Sequence, residues 1–397
     1  MKRTLIIVLG ILLVLILVGI WMYILFFGVS KPDVYTDLNF ENTTDVIDVG
    51  VVSEQKNESI VDVADQSRLR QLTTSQVAGY QEVIKDASSS PEVYYVKSGT
   101  GYVYSIDLET GEEKRISGTT IPETEKAAIT PDGKFILVQS GFGSKKQFAI
   151  WSIGEGESGL SEKVILQDVV DFQATLDNTF FYSLKVDNNI VAMRYATSSK
   201  TAEILFRVPF AEVVIDWGIS KDGPHYVYPK PNSRLEGYLY EASGKTIKRL
   251  PVEGLGLSAH GNKDSVLYSA QVIKNNYKTS IYKKESGVVS NYPIGLLPEK
   301  CVSFIDQPSF ICVITHETQF SPQTPDDWYQ GTISYQDDLW EINPLTGASV
   351  YLVDTRAESG RTIDIIDLVI NQSNSNIYFK NKNDNTLWLY LLVETKD

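Results

Sequence analysis

One short pattern of apolar and large residues recurs along most of the chain. An apolar residue is followed by a large side chain, mostly Tyr or Trp, and then by alternating residues that often end at Gly. The large residues of the successive copies are Tyr104, Trp151, Met193, Tyr240, Tyr282, Trp340 and Trp388. They are 47, 42, 47, 42, 58 and 48 residues apart, so only the fifth interval departs from a period of about 45.

Each copy contains more than the strand that carries the large residue. In the second copy, an apolar strand at Lys126–Ile129 leads into the turn Pro131–Gly133 and then into an alternating strand at Lys134–Gln139. Pro presets φ in such a turn, Asp bonds its own backbone, and Gly takes the positive φ. A fourth strand follows the large residue, as at Glu113–Ile116 and Ser349–Val353. The pattern therefore predicts four antiparallel strands per copy.

Seven copies of a four-stranded unit predict an all-β fold, a seven-bladed β-propeller over residues 67–397. Such sheets bury both faces only by stacking on their neighbours, so we expect the large residues to fill the space between blades. The last copy supplies only three strands before the chain ends at Asp397. We expect residues 67–74 to form the closing strand of that blade, because a missing strand would expose an unpaired edge.

The N-terminal region predicts a membrane anchor. Thr4–Phe27 is an uncharged run of 24 residues, and as a helix it would cross a hydrocarbon core of about 30 Å. Lys2 and Arg3 precede it, which favours a cytoplasmic tip at residues 1–3 and an extracytoplasmic propeller. A cleavable signal peptide is the alternative, but the apolar core is long for one and Gly28–Ser30 is a weak cleavage site.

Residues 28–66 separate this segment from the repeats. Between residues 31 and 66, nine acidic residues stand against two lysines, and the Val and Ile residues show no sustained period. This composition is typical of a flexible acidic linker. A docked extended segment is the alternative.

Composition narrows the range of functions. Asp and Glu outnumber Lys and Arg by 50 to 36, and a net charge of −14 argues against a nucleic-acid binder. Three histidines fall in three different copies, and the chain has two cysteines, so we expect no metal and no cofactor. No Gly-x-Ser-x-Gly, His-Glu-x-x-His or Walker-type motif is present. Acidic residues are plentiful, so a carboxylate pair for glycoside hydrolysis stays open.

The two cysteines flank a predicted hairpin. Cys301 and Cys312 are placed symmetrically about a turn near Asp306–Pro308, which brings them opposite one another. The space outside a membrane permits oxidation, so we expect a disulfide between them. Two reduced thiols in the core are the alternative.

The long fifth interval holds the main candidate for binding. About 13 extra residues lie within His316–Ser334, between the second and third strands of the sixth blade. Long loops on a rigid scaffold often carry binding, and Trp and Tyr dominate protein-binding surfaces. The candidate binding residues are Phe320, Asp326, Asp327, Trp328 and Tyr329. The alternative is that Trp328 packs against a neighbouring blade.

Several motifs carry a family resemblance: Leu72–Gly79, Gly101–Tyr104, Gly118–Pro122, Pro325–Gly331, and Phe379–Lys382 with Leu387–Trp388. Together they resemble an uncharacterised group of membrane-anchored propeller proteins from genome-reduced candidate-phylum bacteria. Single blades are also similar to TolB-type, WD40-like and dipeptidyl-peptidase-type propellers. The resemblance implies the fold and the anchor and supplies no catalytic residues.

These features favour a non-catalytic interaction scaffold on the outer face of the cell membrane, with envelope or surface proteins as partners. A carbohydrate- or peptidoglycan-directed binder or hydrolase is the alternative, using acidic and aromatic residues at the end of the propeller. Carboxylates with perturbed pKa values around the central channel would favour that alternative.

Overall fold

The structure is a computed structural model that describes residues 67–392, apart from 84, 86–89, 155–158, 219–222, 274–275, 317–319 and 321–322. The predicted anchor at 4–27 and the predicted linker at 28–66 lie outside the described residues. No helix within the described part of the chain is long and apolar enough to cross a membrane.

The described residues form an all-β fold of six antiparallel sheets. Strand β1 (Leu69–Gln71) comes first in the chain and pairs in the last sheet. The first sheet contains β2 (Val77–Val83), β3 (Glu92–Lys97), β4 (Val103–Asp107) and β5 (Glu113–Ser117). The second contains β6 (Thr124–Ile129), β7 (Phe135–Ser140), β8 (Gln147–Ile153) and β9 (Leu160–Leu166). The third contains β10 (Val169–Ala174), β11 (Thr179–Val186), β12 (Asn189–Ala196) and β13 (Thr201–Val208).

The remaining strands form one large and two smaller sheets. The fourth sheet has seven strands: β14 (Val213–Asp216), β15 (His225–Pro229), β16 (Glu236–Ser243), β17 (Thr246–Gly261), β18 (Ser265–Ile273), β19 (Asn276–Lys283) and β20 (Val288–Tyr292). The fifth contains β21 (Cys301–Ser303), β22 (Phe310–Thr315), β23 (Asp337–Ile342) and β24 (Ser349–Val353). The sixth contains β25 (Ile365–Ile370), β26 (Asn376–Asn381), β27 (Leu387–Leu391) and β1. Helices α1 (Asp326–Tyr329) and α2 (Thr355–Ser359) are short, as are the 3₁₀ turns Gly143–Lys145 and Pro298–Lys300.

The fourth sheet is larger than its neighbours because β17 pairs on both sides. Its first half pairs with β16 and its second half with β18, with register shifts in both pairings. The sequence predicts a strand at Thr246–Leu250 that ends before the next unit begins. Instead the backbone stays extended through Gly254, where a Cβ atom would lie 2.6 Å from the Ala270 Cβ. Glycine therefore permits the close approach that keeps the two halves in one strand.

The short strand β1 completes the sixth sheet from the far end of the domain. It pairs antiparallel with β27, with Leu69 opposite Tyr390 and Gln71 opposite Trp388. The guanidinium of Arg68 lies 5.2 Å from the centroid of the Tyr390 ring. These contacts join the beginning of the described chain to its end.

The core lies between the sheets, and alternate residues of one strand serve different interfaces. In β26, Ile377 and Phe379 pack with residues of the fifth sheet, whereas Tyr378 packs with Tyr95 of the first sheet. Both faces of a strand are therefore buried, which explains why many strands are apolar without strict alternation. Each of the seven repeated large residues lies in the third strand of its unit, as the spacing predicts.

Candidate functional site

A central cavity of about 420 Å³ is surrounded by first strands from every unit. Its walls come from β2, β6, β10, β14, the second half of β17, β21 and β25. Inner strands of stacked sheets meet around a common axis, so residues from distant parts of the sequence face the same space. The cavity therefore brings ionisable side chains of several units together.

Most ionisable side chains that face the cavity are paired. Lys126 Nζ lies 2.5 Å from Asp171 Oδ1, and Asp367 pairs with Lys380 at 2.8 Å. His260 Nδ1 lies 3.2 Å from Asp216 Oδ2. Burial opposes ionisation of Asp216, but His260 and two backbone N–H groups outweigh it and lower the pKa of that carboxyl. Such pairs satisfy the charges locally and need no ligand.

The pair at His260 extends to a buried serine. His260 Nε2 lies 3.0 Å from Ser303 Oγ, so Ser303, His260 and Asp216 are connected in the order found in serine hydrolases. Ser303 is only 1% exposed. A nucleophile must reach its substrate, so this arrangement is a hydrogen-bonded link between neighbouring inner strands.

Glu299 is the cavity-lining carboxylate whose pKa departs upward. Its two oxygens accept hydrogen bonds from the Tyr329 hydroxyl at 2.6 and 2.7 Å. Burial raises the pKa of Glu299, and the hydrogen bond from Tyr329 and the charge of Lys300 only partly offset this effect. A carboxylate of raised pKa in a cavity wall is a candidate functional group.

The candidate binding residues of the long insertion lie around α1, which packs across three strand connections. Asp326 accepts hydrogen bonds from the backbone and hydroxyl of Ser233, at 3.0 and 2.6 Å. Tyr329 reaches Glu299, and the Asp327 carbonyl accepts from Thr332 N at 3.0 Å. The insertion is thus held in place by Ser233 and Glu299, which precede it, and by hydrogen bonds within itself.

The aromatic residues of the insertion form a cluster on the domain. Trp328 is 6% exposed, and Phe320 lies edge-on to Tyr277 and Tyr335. Trp328 therefore packs against its neighbours and is not the exposed side chain that a binding loop would present. Its burial follows from its position over the start of the sixth sheet, where its indole N–H donates to Asp364.

Beneath Trp328 lies a group of buried charges. Lys300 Nζ is 2.5 Å from Asp337 Oδ2 and 2.6 Å from Asp364 Oδ1. Lys382 Nζ lies 4.0 Å from the centroid of the Trp328 ring, and the ammonium also donates to the Trp328 carbonyl. Sequence reasoning missed Lys300, Asp337, Asp364 and Glu299. For Asp364 the available signal is a single charged residue in an apolar run, Ile363–Ile366.

One described group has the donor atoms for a metal. His316, Asp338 and Asp354 each offer a ligand atom within 4.8 Å of the others. Two of these residues already have partners: His316 Nε2 lies 2.6 Å from Asp338 Oδ2, and Asp354 caps α2 by accepting from Ala357 N. A divalent cation would have to replace the contact between His316 and Asp338.

The two cysteines meet as the hairpin predicts. Cys301 lies opposite Cys312 in the register of β21 and β22, and their Sγ atoms are bonded at 2.10 Å. The bond lies next to Lys300 and holds the first two strands of the fifth sheet together.

A second cavity, of about 580 Å³, opens at β8 and β9 of the second sheet. We call it the β8–β9 groove; Trp151, Lys146, Lys163, Ile165 and Asp168 are among the residues that line it. Ile165 is 62% exposed, and the exposed apolar residues Phe142, Val164 and Val170 each adjoin a lining residue in the sequence. The groove therefore combines an apolar wall with two lysines and one aspartate.

Comparisons with known proteins support the fold and leave the function open. No protein-family model matches the chain, and no curated protein matches it. The β-propeller domain of the Trilobed protease from Pyrococcus furiosus superposes with a TM-score of 0.50 at 13% identity, over 81% of this chain and 99% of that one. An oligogalacturonate lyase in complex with manganese gives 0.50 at 10% identity, over 82% and 93%.

A further neighbour is the acylaminoacyl peptidase of Pyrococcus horikoshii, with a TM-score of 0.50 at 11% identity over 80% of this chain. The match spans about half of that enzyme, 51% of its chain. At such identities the likeness establishes a β-propeller fold and no activity. The resemblance to membrane-anchored proteins of candidate-phylum bacteria stays a prediction.

Proposed function

We propose that the protein is a non-catalytic interaction protein outside the cell membrane, held there by residues 4–27 and a linker at 28–66. The six sheets of the described residues would count as seven blades, since β17 provides the outer strand of one blade and the inner strand of the next. In this arrangement β1 is the strand that closes the ring. The partner is an envelope or surface protein.

The observation that carries the proposal is the β8–β9 groove. Surface apolar residues are usually scattered, and a contiguous group beside a concave surface marks an interaction site. Here the exposed Ile165 and the half-buried Trp151 line a cavity of about 580 Å³, whereas most ionisable groups of the central cavity are occupied by one another. This contrast favours binding at the outer strands over catalysis at the axis.

The charges of the groove indicate the chemistry of the partner. Lys146 and Lys163 line it beside Asp168, in a chain whose net charge is −14, and Lys146 Nζ also lies 3.9 Å from Glu125 Oε2. Lys163 Nζ lies 4.9 Å from the Trp151 ring centroid, so its charge sits over the apolar wall. A polypeptide segment with bulky apolar and acidic side chains would complement this surface.

A binding measurement with the full-length protein in detergent tests the proposal. Matched peptide panels, one apolar and acidic and the other apolar and basic, would be titrated by fluorescence anisotropy. The acidic panel should bind, and Ile165→Asp should weaken binding at least about 30-fold by charging the apolar wall. The control is Val350→Asp, which charges a residue 55% exposed on β24 of another sheet and should leave binding unchanged. Equal loss in both variants, or preference for the basic panel, would contradict the proposal.

The raised pKa of Glu299 supports a second candidate function. A cavity-lining carboxyl of raised pKa is the feature expected of an acid in a carbohydrate- or peptidoglycan-directed hydrolase. Release of reducing sugars from purified peptidoglycan by the wild type, with loss of release in Glu299→Gln, would establish it. Equal release by both proteins would remove Glu299 from any such role.

A further inference from the structure

Three buried charged groups meet under the insertion, and their charges do not balance. Lys300 is 3% exposed, and Asp337 and Asp364 are fully buried. The lysine nitrogen lies 2.5 Å from Asp337 and 2.6 Å from Asp364. With all three groups ionised, two buried negative charges share one buried positive charge, and the half-buried Lys382 is the next cation that faces both carboxyl groups. Protonation of one carboxyl group removes this excess of negative charge, because a single lysine cannot neutralise two buried carboxylates.

The two carboxyl groups have different surroundings. Asp364 accepts hydrogen bonds from the Trp328 indole at 3.1 and 3.0 Å and from the Tyr335 backbone at 3.2 Å, in addition to Lys300. Both oxygens of Asp364 therefore have hydrogen-bond donors. Asp337 accepts through Oδ2 alone, from Lys300 and from the Ile365 backbone at 2.8 Å. Its Oδ1 has no hydrogen-bond partner among the described residues.

The asymmetry makes Asp337 the carboxyl group that takes up a proton more readily. Burial raises the pKa of Asp337 to about 6, with Lys300 opposing the rise and Asp364 adding to it. Oδ1 is the free oxygen that can carry this proton. The aromatic rings of Trp328 and Tyr335 lie 4.8 and 5.2 Å from Lys300 Nζ and help to keep water out. A lysine, an aspartic acid that is protonated below a pH of about 6, and a second carboxyl group thus share one site that is shielded from water.

We propose that Lys300 and Asp337 form an intramolecular isopeptide bond, with Asp364 as the group that moves the protons. The juxtaposition of an amine, a carboxylic acid and a carboxylate that can act as a base is what amide formation without a cofactor requires. The bond would join the residue before β21 to the first residue of β23. The disulfide Cys301–Cys312 joins β21 to β22, and the isopeptide bond would add a covalent link to β23, where the chain returns from the insertion.

The step balances as a condensation. Asp364 takes a proton from the Lys300 ammonium, and the freed Nζ attacks Cγ of protonated Asp337. The Ile365 N–H, which already donates to Oδ2, stabilises the negative charge that develops on that oxygen. Asp364 returns this proton to Oδ1, and that oxygen leaves with both hydrogens as water. Nζ then gives its second proton to Asp364, which ends the reaction protonated. One C–N bond forms and one C–O bond breaks, and nothing is oxidised or reduced.

Mass spectrometry of the full-length protein, purified in detergent and fully reduced, tests the proposal. The bonded chain should be lighter than its sequence requires by one water molecule. Trypsin does not cleave after a lysine whose Nζ is in an amide, so residues 285–356 should appear as one peptide lacking one water. Lys300→Arg should restore the full mass, because a guanidinium is a poor nucleophile. Lys382→Arg, which changes the neighbouring lysine, should keep the loss.

The Asp364→Asn variant tests the role of the proposed base apart from the two groups that form the bond. It leaves Lys300 and Asp337 in place and should prevent or greatly slow the loss of water. A wild-type protein of full mass, cleaved after Lys300, overturns the proposal whatever the variants do. Loss of water that persists in Lys300→Arg also overturns it. A product that joins peptide 285–356 to peptide 362–380 would overturn the assignment to Asp337, because the acceptor would then be Asp364.

Discussion

The indole nitrogen of Trp328 lies 3.1 and 3.0 Å from the two carboxylate oxygens of Asp364 and donates to them. Trp328 belongs to the insertion between β22 and β23, whereas Asp364 directly precedes β25 of the sixth sheet. The contact therefore ties the insertion of one sheet to the next. The insertion between β22 and β23 therefore covers the start of the sixth sheet, and the buried hydrogen bond from Trp328 to Asp364 holds it there.

Replacing Trp328 by Ala should lower the stability of the protein. The change removes a buried indole and one donor to a buried carboxylate, and we expect a loss of about 3–5 kcal/mol in the free energy of unfolding. Phe142→Ala removes an exposed aromatic side chain and serves as the control, with little expected change. Chemical denaturation of both variants checks this. Similar midpoints for the two would mean that the insertion does not stabilise the domain.

Removing β1 should destabilise the domain more than removing everything before it. A protein that begins at residue 67 keeps the pairing of Leu69 with Tyr390, whereas one that begins at residue 75 leaves β27 without its outer neighbour. Truncation of the buried Leu69 side chain to Ala alone should cost about 2–5 kcal/mol. Thermal unfolding of the two proteins compares them directly. Equal melting temperatures would refute the role of β1 in closing the ring.

Glu299 should make stability fall as the pH rises. Burial raises its pKa in the folded protein, so the folded state binds more protons than the unfolded state above the ordinary Glu value of about 4.3. The stability present below that pH is lost as the pH rises through the raised pKa. Glu299→Gln should remove this component, and Tyr329→Phe should move it to higher pH because the stabilising donor is lost. Urea titrations from pH 4 to 8 measure the effect; parallel profiles for wild type and Glu299→Gln would contradict it.

The N-terminal segment should retain the protein in the membrane. We expect the intact chain to sediment with membranes and to resist extraction by high salt, with the propeller open to protease added from outside. Deleting residues 4–27 should release it. A mature protein that starts near residue 31 would show that the segment is a cleaved signal.

The repeat could be predicted from sequence because each unit packs against its neighbours through the same strand positions. Tyr104 and Trp388 occupy corresponding third strands since a large side chain is needed between sheets at that point. The continuous strand β17 could not be foreseen, because it depends on how closely Gly254 approaches Ala270 in space. Lys300 and Asp364 were missed for a similar reason: 64 residues separate them, and only the stacking of sheets brings them together.

The solvent exposure of single large apolar side chains was the least predictable feature. Trp328 lies in a polar, turn-rich segment that is typical of surface loops, yet it is buried by contacts with residues of the next sheet. Conversely, Ile165 lies in a strand and is exposed beside the β8–β9 groove. Whether a strand residue faces a neighbour or solvent depends on where its sheet ends, and local sequence does not encode this.

The most direct test of the central claim is photo-cross-linking in native membranes from a reactive residue placed at position 165. If the β8–β9 groove binds an envelope or surface protein, position 165 should give a discrete adduct, and the same residue at position 350 should not. An excess of an apolar, acidic peptide should reduce the adduct, because it occupies the same groove. Adducts of equal yield from both positions, or none from position 165, would contradict the account.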